Sequence, residues 1–343
     1  MNEKLWLWVV VVLLLTSCVA GPNYRGKALD NFDGDVFRNR EPLGQKSLDM
    51  LGFGWGSLTK AQQWPDWIEN EPADVPPAFV TDSIRVTYIN HATTLIQMDG
   101  LNILTDPIYS ERASPFQWAG PKRVRAPGIP MADLPNIDVI LVSHNHYDHL
   151  DVETLKQLTE RQEKAPLLLS GLGVGQLFSE IGITNYVDMQ WDQVERYQSM
   201  EFSFVECRHR SGRGIRDQMK TLWGSFVIKS AAGNVYFAGD TGYGSHLKEH
   251  GEKYGPFALT ILPIGAYEPR WFMADVHMNP DEAVRAHEDL QSKQSLSIHF
   301  GVFQLTYEAI DEPAAALKVA LDTHGVEADN FWTLEPGQTR TIR

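Results

Sequence analysis

The chain has 343 residues, of which 43% are hydrophobic and 10% aromatic, a composition typical of a folded globular protein with a large core. Its formal net charge of -14 argues against binding to nucleic acid, because such binding depends on a basic surface that neutralises phosphates. Only two cysteines, Cys18 and Cys207, are present, so the sequence offers no disulfide framework. We expect Cys207 to act as a small buried hydrophobic residue.

The N-terminal residues have the pattern of an export signal. Lys4 precedes an unbroken apolar run from Leu5 to Leu15, and small residues follow the run. The run is shorter than the roughly 20 residues that a membrane-spanning helix needs. Leu15-Thr16-Ser17-Cys18 also resembles the lipobox of bacterial lipoproteins, which implies a signal peptide over residues 1–17 and a mature chain that is lipid-anchored through Cys18.

The residue after the cysteine bears on the destination of such a lipoprotein. In this class an aspartate at that position favours the inner membrane, and Val19 stands here. We therefore expect a bacterial cell-envelope protein that is held at the outer membrane and faces the periplasm. An uncleaved N-terminal anchor or a plain secretory signal is the alternative interpretation.

The rest of the chain divides into residues 18–80 and 81–343. Glycine, proline and polar residues are frequent up to about residue 77, which predicts a tether and an irregular segment that wraps the core. Apolar and alternating runs then predict strands at 84–89, 94–98, 101–104, 137–142, 167–170, 201–205, 222–228, 234–238, 257–262, 295–298 and 331–334. Helical patterns occur at 151–161, 173–181, 279–290 and 314–324. This order predicts an α/β protein of stacked layers in 81–343, with its site along one edge of the sheets.

A cluster of metal-ligand residues follows the predicted strand at 137–142. The sequence there is His144-Asn145-His146-Tyr147-Asp148-His149, and a rigid strand followed by a turn directs such side chains similarly. Neutral imidazoles bind zinc, and a carboxylate or a further imidazole suits a neighbouring ion. The motif predicts a metal site, and a polar loop whose histidines only make hydrogen bonds is the alternative.

Two other polar residues lie at predicted strand ends. Asp106 follows the strand at 101–104, where its carboxylate would accept a hydrogen bond from a ligand histidine and fix the tautomer of that histidine. A simple turn at Asp106-Pro107 is the alternative. His91, between the first two predicted strands, is more typical of a buried core histidine than of a metal ligand.

Three more strand ends carry His209, Asp240 and His299, whose spacings are too long for a local motif. Together with the 144–149 motif, they resemble the ligand set of the metallo-β-lactamase-fold hydrolases. The resemblance implies an αββα sandwich with a dinuclear metal site at the edge of its two sheets. Longer stretches at 104–108, 120–123, 222–225, 237–243 and above all 263–273 resemble the N-acyl-phosphatidylethanolamine-hydrolysing phospholipase D family.

The resemblance implies a role for each matched residue. One Zn²⁺ would be held by His144, His146 and His209, and a second by Asp148, His149 and His299, with Asp240 bridging the two. The catalytic residues would be Asp148, Asp240 and His277, and the substrate contacts would be Tyr147 and His277. Aromatic packing at the rim of the site is the alternative for Tyr147 and His277.

Basic residues near these positions have weaker interpretations. Arg208, Arg210, Arg213 and Arg216 would add local positive charge for an anionic lipid, or would form a solvated loop. Arg270 is expected to pair with a carboxylate and to have no chemical role.

The function that the resemblance implies is that of a zinc-dependent phosphodiesterase. It would release phosphatidic acid from N-acyl-phosphatidylethanolamine-like lipids or a similar small phosphodiester, through a metal-bridging hydroxide. Another metallo-hydrolase on the same fold, acting on a lactone, a β-lactam or a soluble phosphodiester, is the main alternative. A non-catalytic metal-binding envelope lipoprotein is a third possibility. The sequence predicts no oligomeric state.

Overall fold

The computed structural model describes residues 21–44, 49–73 and 75–343. Its strands are β1 (Ile84–Asn90), β2 (Thr93–Met98), β3 (Leu101–Thr105), β4 (Val139–Val142), β5 (Leu167–Gly171), β6 (Tyr186–Met189), β7 (Val194–Tyr197), β8 (Met200–Val205), β9 (Ser225–Lys229), β10 (Val235–Phe237), β11 (Leu259–Pro263), β12 (Ser295–Ile298), β13 (Phe331–Trp332) and β14 (Thr339–Ile342). Its helices are α1 (Met50–Thr59), α2 (Val152–Glu160), α3 (Gly175–Glu180), α4 (Ser245–Tyr254), α5 (Arg270–Met273), α6 (Pro280–Asp289) and α7 (Glu312–His324).

The predicted signal peptide and Cys18 lie outside the described residues. None of the helices within 21–44, 49–73 and 75–343 has the length and apolar character that crossing a membrane requires. The predicted boundary between residues 80 and 81, like the lipid anchor, stays a prediction.

In the described part of the chain, the strands form two seven-stranded sheets with the same arrangement of directions. The first sheet has the order β14-β1-β2-β3-β4-β5-β6, and the second has the order β13-β12-β11-β10-β9-β8-β7. In the first sheet, β14 through β3 pair antiparallel and β3 through β6 pair parallel. In the second, β7 through β10 pair antiparallel and β10 through β13 pair parallel. Each sheet therefore collects the carboxyl ends of its parallel strands at one edge.

Hydrophobic side chains fill the space between the sheets and cover their outer faces. Between the sheets, Val86, Ile103 and Leu141 of the first sheet belong to the same buried cluster as Phe202 and Phe237 of the second. Helices α2 and α3 contribute to a second cluster over the first sheet, and α4, α6 and α7 contribute to a third over the second sheet. This layering confirms the predicted αββα sandwich.

The predicted elements from residue 84 onwards agree with the observed ones, apart from their ends and several additions. The predicted strands at 222–228 and 257–262 begin later, at Ser225 and Leu259. Helices α4 and α5 and strands β6, β7 and β14 have no counterpart in the prediction. Strands β6, β7 and β14 are half-buried or exposed except at Met189, and they mix polar with apolar residues, so they lack a clear apolar pattern.

The described residues within 21–44, 49–73 and 75–80 are not irregular throughout. Helix α1 occupies part of this segment, so the prediction of an irregular chain is wrong there. Three of its ten residues are glycine, which disfavours a helix, and tertiary contacts therefore stabilise it. Phe53 stacks on Phe272 with ring centroids 4.5 Å apart and on Tyr307 at 5.5 Å. The carboxylate of Asp49 caps the helix by accepting a hydrogen bond from the Gly52 amide.

Candidate metal centre

Strand ends from both sheets bring the predicted ligand residues together at one edge of the sandwich. His144, His146, Asp148 and His149 lie in the turn after β4, while His209, Asp240 and His299 follow β8, β10 and β12. Because these strands are buried, the two sheets hold the ligand-type side chains in fixed relative positions.

One group of ligand-type atoms comes from His144, His146 and His209. His144 Nε2 lies 2.7 Å from His146 Nδ1, and His209 Nε2 lies 3.3 Å from the same His146 nitrogen. All three atoms lie within 4.8 Å of one another, close enough for one cation to contact all three. These are the residues that the sequence resemblance assigns to one Zn²⁺, and their role as ligands stays a prediction.

A second group contains Asp148, His149, His299 and also His91. His299 Nε2 and His149 Nε2 lie 3.3 Å and 3.4 Å from Asp148 Oδ2. His91 Nε2 lies 3.0 Å from the same oxygen. His91 is buried, as expected of a core histidine, but its side chain contacts a ligand-type carboxylate, which the sequence analysis did not anticipate.

Asp240 lies between the two groups. Its Oδ2 atom is 3.0 Å from His149 Nε2 and 3.2 Å from His299 Nε2. The same oxygen is 3.7 Å from His209 Nε2 and 3.9 Å from His144 Nε2. A carboxylate within reach of nitrogens from both groups has the position that a bridging ligand requires.

Several polar atoms of this cluster are buried and have no hydrogen-bond partner in the described part of the chain. They are His149 Nε2, both ring nitrogens of His299, His277 Nδ1 and Asp240 Oδ1. Buried polar atoms are normally satisfied, so atoms that converge in this way fit a bound cation. Imidazole nitrogens combined with carboxylate oxygens suit Zn²⁺ and similar transition metals. The residues present therefore fit a dinuclear metal centre.

Asp106 and Ser143 orient two of the histidines. Asp106 Oδ2 lies 2.6 Å from His149 Nδ1 and accepts a hydrogen bond from Ser143 Oγ, also at 2.6 Å. Since the Ser143 hydroxyl proton is used on Asp106, its oxygen accepts from His144 Nδ1 at 2.9 Å. In their neutral, metal-binding form both histidines therefore carry their proton on Nδ1 and direct Nε2 into the cluster. The hydrogen bond expected of Asp106 is present, whereas Ser143 was absent from the sequence prediction.

The backbone around His209 is held by a residue that precedes the sandwich. His209 Nδ1 donates to the Val276 carbonyl at 2.9 Å, which leaves Nε2 directed at the cluster. Its amide donates to Asn39 Oδ1 at 3.1 Å, and its carbonyl accepts from Asn39 Nδ2 at 2.7 Å. Asn39 was not predicted from the sequence, because nothing local marks an asparagine in a polar segment as a partner of a distant histidine.

Unusual backbone conformations occur at the centre. His91, Asp106 and His299 have positive φ angles of 47°, 30° and 65°, a region that residues with a side chain rarely occupy. Gly239, with φ of 59°, lies so close to Ser143 that a Cβ atom added to the glycine would overlap the Ser143 side chain. The glycine before Asp240 thus lets the β10 loop approach the β4 loop.

Burial and neighbouring charges shift the pKa values of the predicted ligand histidines in opposite directions in the two groups. Burial lowers the pKa of His146 and of His209 to about 3, so both imidazoles are neutral near pH 7. Burial also acts to lower the pKa of His299, but the carboxylates of Asp240 and Asp148 outweigh it and raise that pKa to about 9. The same balance raises the pKa of His149 well above its usual value. The region around Asp148 and Asp240 therefore favours positive charge.

His277 lies at the side of the centre, on the loop before α6. Its Nδ1 atom is 3.9 Å from Asp240 Oδ2. Arg270 Nη1 donates to the His277 carbonyl at 2.9 Å, and Arg270 Nη2 contacts both carboxylate oxygens of Glu282 at 2.9 Å and 2.7 Å. The predicted pairing of Arg270 with a carboxylate is confirmed, and through this pairing Arg270 supports the backbone at His277.

Tyr147 is half-buried beside the 144–149 turn. The Arg213 guanidinium lies 3.9 Å from the centre of its ring and donates to the carbonyls of Asn145 and Leu150, at 3.0 Å and 2.9 Å. Arg213 thus supports the turn that carries the ligand-type residues.

The four arginines that the sequence suggested as a basic cluster have separate environments. Arg208 pairs with Asp275 at 2.8 Å, and Arg210 lies over the Phe272 ring at 5.3 Å. Arg213 underlies Tyr147, and Arg216 is exposed. They therefore do not form one solvated basic loop.

Cys207 is buried in the cluster between the sheets, two residues before His209. Burial raises the pKa of its thiol well above the usual value. The prediction that Cys207 is a small buried hydrophobic residue is confirmed.

A family model described as a beta-lactamase superfamily domain matches residues 101–300. The chain belongs to this superfamily. The protein is a metal-dependent hydrolase with the metallo-β-lactamase fold, and its ligand-type residues lie at the edge where the two sheets meet.

Relatives of this superfamily member include proteins with and without a named activity. An uncharacterized protein of Mycobacterium tuberculosis is 38% identical over 314 residues, which cover 89% of this chain and 81% of that protein. An N-acyl-phosphatidylethanolamine-hydrolyzing phospholipase D 1 of Caenorhabditis elegans is 36% identical over 263 residues, or 74% of each chain. Among solved structures, a metallo hydrolase from Ignicoccus hospitalis is similar in fold, with a TM-score of 0.58, 19% identity, and coverage of 76% of this chain and 99% of that chain.

Proposed function

We propose that the protein is a dinuclear zinc phosphodiesterase of the phospholipase D type. Its substrates are N-acyl-phosphatidylethanolamine-like lipids, from which it releases phosphatidic acid. The position of Asp240 between two groups of ligand-type side chains carries the proposal, because it provides for two adjacent cations. The choice of substrate is supported by the 36% identity to the C. elegans phospholipase, which extends over 74% of each chain.

In this proposal, the ligands of one Zn²⁺ are His144, His146 and His209, those of the other are Asp148, His149 and His299, and Asp240 is shared. Two adjacent zinc ions activate water and stabilise the charge that builds on phosphoryl oxygens. The chain fixes the ligand atoms, because Asp106 and Ser143 set the tautomers of His149 and His144. His91 donates to Asp148 from Nε2 and so limits the positions that this carboxylate can take.

Two groups outside the ligand set have positions suited to a phosphodiester. Burial lowers the pKa of His277 well below its usual value, so its neutral ring can donate a hydrogen bond to a phosphoryl or leaving-group oxygen. Arg210 lies close enough to His146, His209 and His277 for its positive charge to add to burial in lowering the pKa of each. A cation at this distance attracts an anionic substrate to a protein whose formal net charge is -14.

We further propose that the enzyme is lipidated on Cys18, anchored to the bacterial outer membrane and exposed to the periplasm. The support is the sequence of residues 1–18, which combines an apolar run with a lipobox-like cleavage site. Metabolic labelling with a radioactive fatty acid should label the chain, and Cys18→Ser should abolish the label. Labelling that persists in Cys18→Ser would contradict the anchor.

Product analysis tests the enzymatic proposal. Protein that is stripped of metal and reloaded with Zn²⁺ is incubated with N-acyl-phosphatidylethanolamine, with a lactone and with a β-lactam. Phosphatidic acid and an N-acylethanolamine are the expected products. Release of free fatty acid would contradict the cleavage position, and hydrolysis of only the lactone or the β-lactam would contradict the substrate class.

A pair of histidine variants controls for loss of fold. His209→Ala should lower turnover at least about a hundredfold, since it removes a predicted ligand. His287→Gln is the matched control, because His287 is also buried but contacts Ser295 Oγ, at the end of β12 opposite His299. Equal losses in the two variants would reject the role of His209.

A further inference from the structure

Helix α1 carries an apolar surface that the described part of the chain does not cover. Met50, Leu51, Trp55 and Leu58 are 60%, 89%, 69% and 83% exposed. Leu51, Trp55 and Leu58 have the spacing that places side chains on one face of a helix, and no residue of α1 is charged. We call these four residues the α1 apolar surface.

The opposite face of α1 holds the helix beside the metal centre. Phe53 stacks on Phe272 and Tyr307, with ring centroids 4.5 Å and 5.5 Å away. Gly56 is so close to Tyr307 that an added Cβ atom would overlap the Tyr307 hydroxyl. The other neighbour of Phe272 is Arg210, whose guanidinium lies 5.3 Å from the ring centre. Aromatic contacts therefore fix the orientation of α1 and connect it to the residues around the centre.

We propose that the α1 apolar surface inserts into the headgroup region of a phospholipid bilayer and holds the metal centre at that bilayer. A helix that is apolar on both faces is typical of positions covered by a protein core or by lipid. The core covers only the face of Phe53 and Gly56. The exposed Trp55 supports lipid as the cover, because tryptophan is enriched at bilayer interfaces.

The position of α1 in the chain supports a bilayer as the partner. The apolar run from Leu5 to Leu15 and Cys18 precede the helix, and 31 residues separate Cys18 from Met50. A chain of this length spans at most roughly 100 Å, so a lipid anchor and α1 can contact the same membrane. The choice of partner thus rests on the proposed lipid substrate and anchor, whereas insertion is measured independently of substrate turnover.

Spin labelling of the full lipidated chain in phosphatidylethanolamine–phosphatidylglycerol vesicles tests the inference. A nitroxide is attached in Leu51→Cys and, as the matched control, in Val319→Cys, because Val319 is an exposed apolar residue on α7. Cys207 is buried and does not compete for the label. Collisions are measured with oxygen, which is enriched in lipid, and with a nickel complex that is confined to water. The label at 51 should collide several-fold more with oxygen and less with nickel than the label at 319.

Every other result overturns the inference. If the nickel complex collides equally often with the labels at 51 and 319, the α1 apolar surface lies in water. If both oxygen and the nickel complex are excluded and the spectra show dipolar broadening between labels, a second copy of the chain covers the α1 apolar surface. If both are excluded without broadening, another segment of the same chain covers it. The measurement needs no turnover, so a chain that inserts but releases no phosphatidic acid rejects the proposed function and leaves the inference standing.

Discussion

Asn39 and His209 are joined by two hydrogen bonds between side chain and backbone, although 170 positions separate them in the sequence. The same asparagine oxygen accepts from the indole of Trp223 at 3.2 Å, which keeps the amide in place. Asn39 thus fixes the backbone of the predicted metal ligand His209 through two hydrogen bonds, as pairing with a neighbouring strand would.

Asn39→Ala should lower the zinc affinity of the site about 10- to 100-fold, because the backbone that orients His209 loses both hydrogen bonds. Competition with a chromophoric chelator measures this affinity. Asn31→Ala is the matched control, since Asn31 lies in the same segment and makes a reciprocal amide pair with Gln190. A similar fall in thermal stability for both variants with unchanged zinc affinity would show that Asn39 is only structural.

Asp106→Asn should weaken binding of the zinc that the proposed function assigns to His149 more than binding of the other proposed zinc. The amide keeps the volume of the carboxylate but presents N–H groups where Ser143 and His149 donate, so His149 loses its fixed tautomer. At a free zinc concentration that just saturates the unsubstituted protein, the zinc content per chain should fall from the proposed two towards one. The control is Asp188→Asn, because Asp188 is a half-buried carboxylate that accepts from the amides of Gly173 and Gly175. A normal zinc content in Asp106→Asn would contradict the prediction.

Zinc binding should release protons near pH 7. The carboxylates of Asp240 and Asp148 overcome burial and raise the pKa of His299 to about 9, so its ring is protonated in the metal-free protein at pH 7. A metal ligand must be neutral, so binding expels that proton and the apparent affinity rises as the pH increases towards 9. The heat of zinc binding should therefore depend on the ionisation enthalpy of the buffer.

A matched histidine separates this effect from general titration of the chain. Burial lowers the pKa of His250 to about 4, so it is neutral at pH 7 and His250→Gln should leave the proton release unchanged. Heats that do not depend on the buffer in the unsubstituted protein would contradict protonation of His299.

Gly239→Ala should destabilise the protein more than its backbone angle alone requires. A positive φ costs a residue with a side chain about 1–2 kcal/mol, and here the added methyl group also overlaps Ser143. Gly325→Ala isolates the first contribution, because Gly325 has φ of 70° and nothing within 4 Å of an added Cβ atom. Urea unfolding should show the larger loss for Gly239→Ala, together with weaker zinc binding. Equal losses of unfolding free energy would contradict the tight approach of the two loops.

Only the ligand-type residues that lie together in the 144–149 turn could be predicted from the local sequence. His144, His146 and His149 follow a recognisable buried strand, and their spacing alone indicates a metal site. Only the resemblance to a family predicted the other three ligands, His209, Asp240 and His299. Their proximity depends on how β8, β10 and β12 are arranged in the second sheet. The contact of His91 with Asp148 depends on a loop with an unusual backbone angle.

The elements that escaped prediction are those whose stability comes from the tertiary structure. Helix α1 contains three glycines and is stabilised by the stacking of Phe53 on Phe272 and Tyr307. Local helix propensity does not predict this tertiary contact. Strand β14 pairs with β1 at the edge of the first sheet, and its exposed side chains give no alternating apolar pattern.

Because Cys207 is buried, the alkylation rate of its thiol reports how often the core opens. Its side chain packs between the sheets, so an alkylating reagent reaches it only when the two layers separate. The rate of alkylation consequently measures how often the sandwich opens, and a comparison with and without zinc would give the contribution of the metal to cohesion between the layers. The measurement requires no substrate and no engineered label.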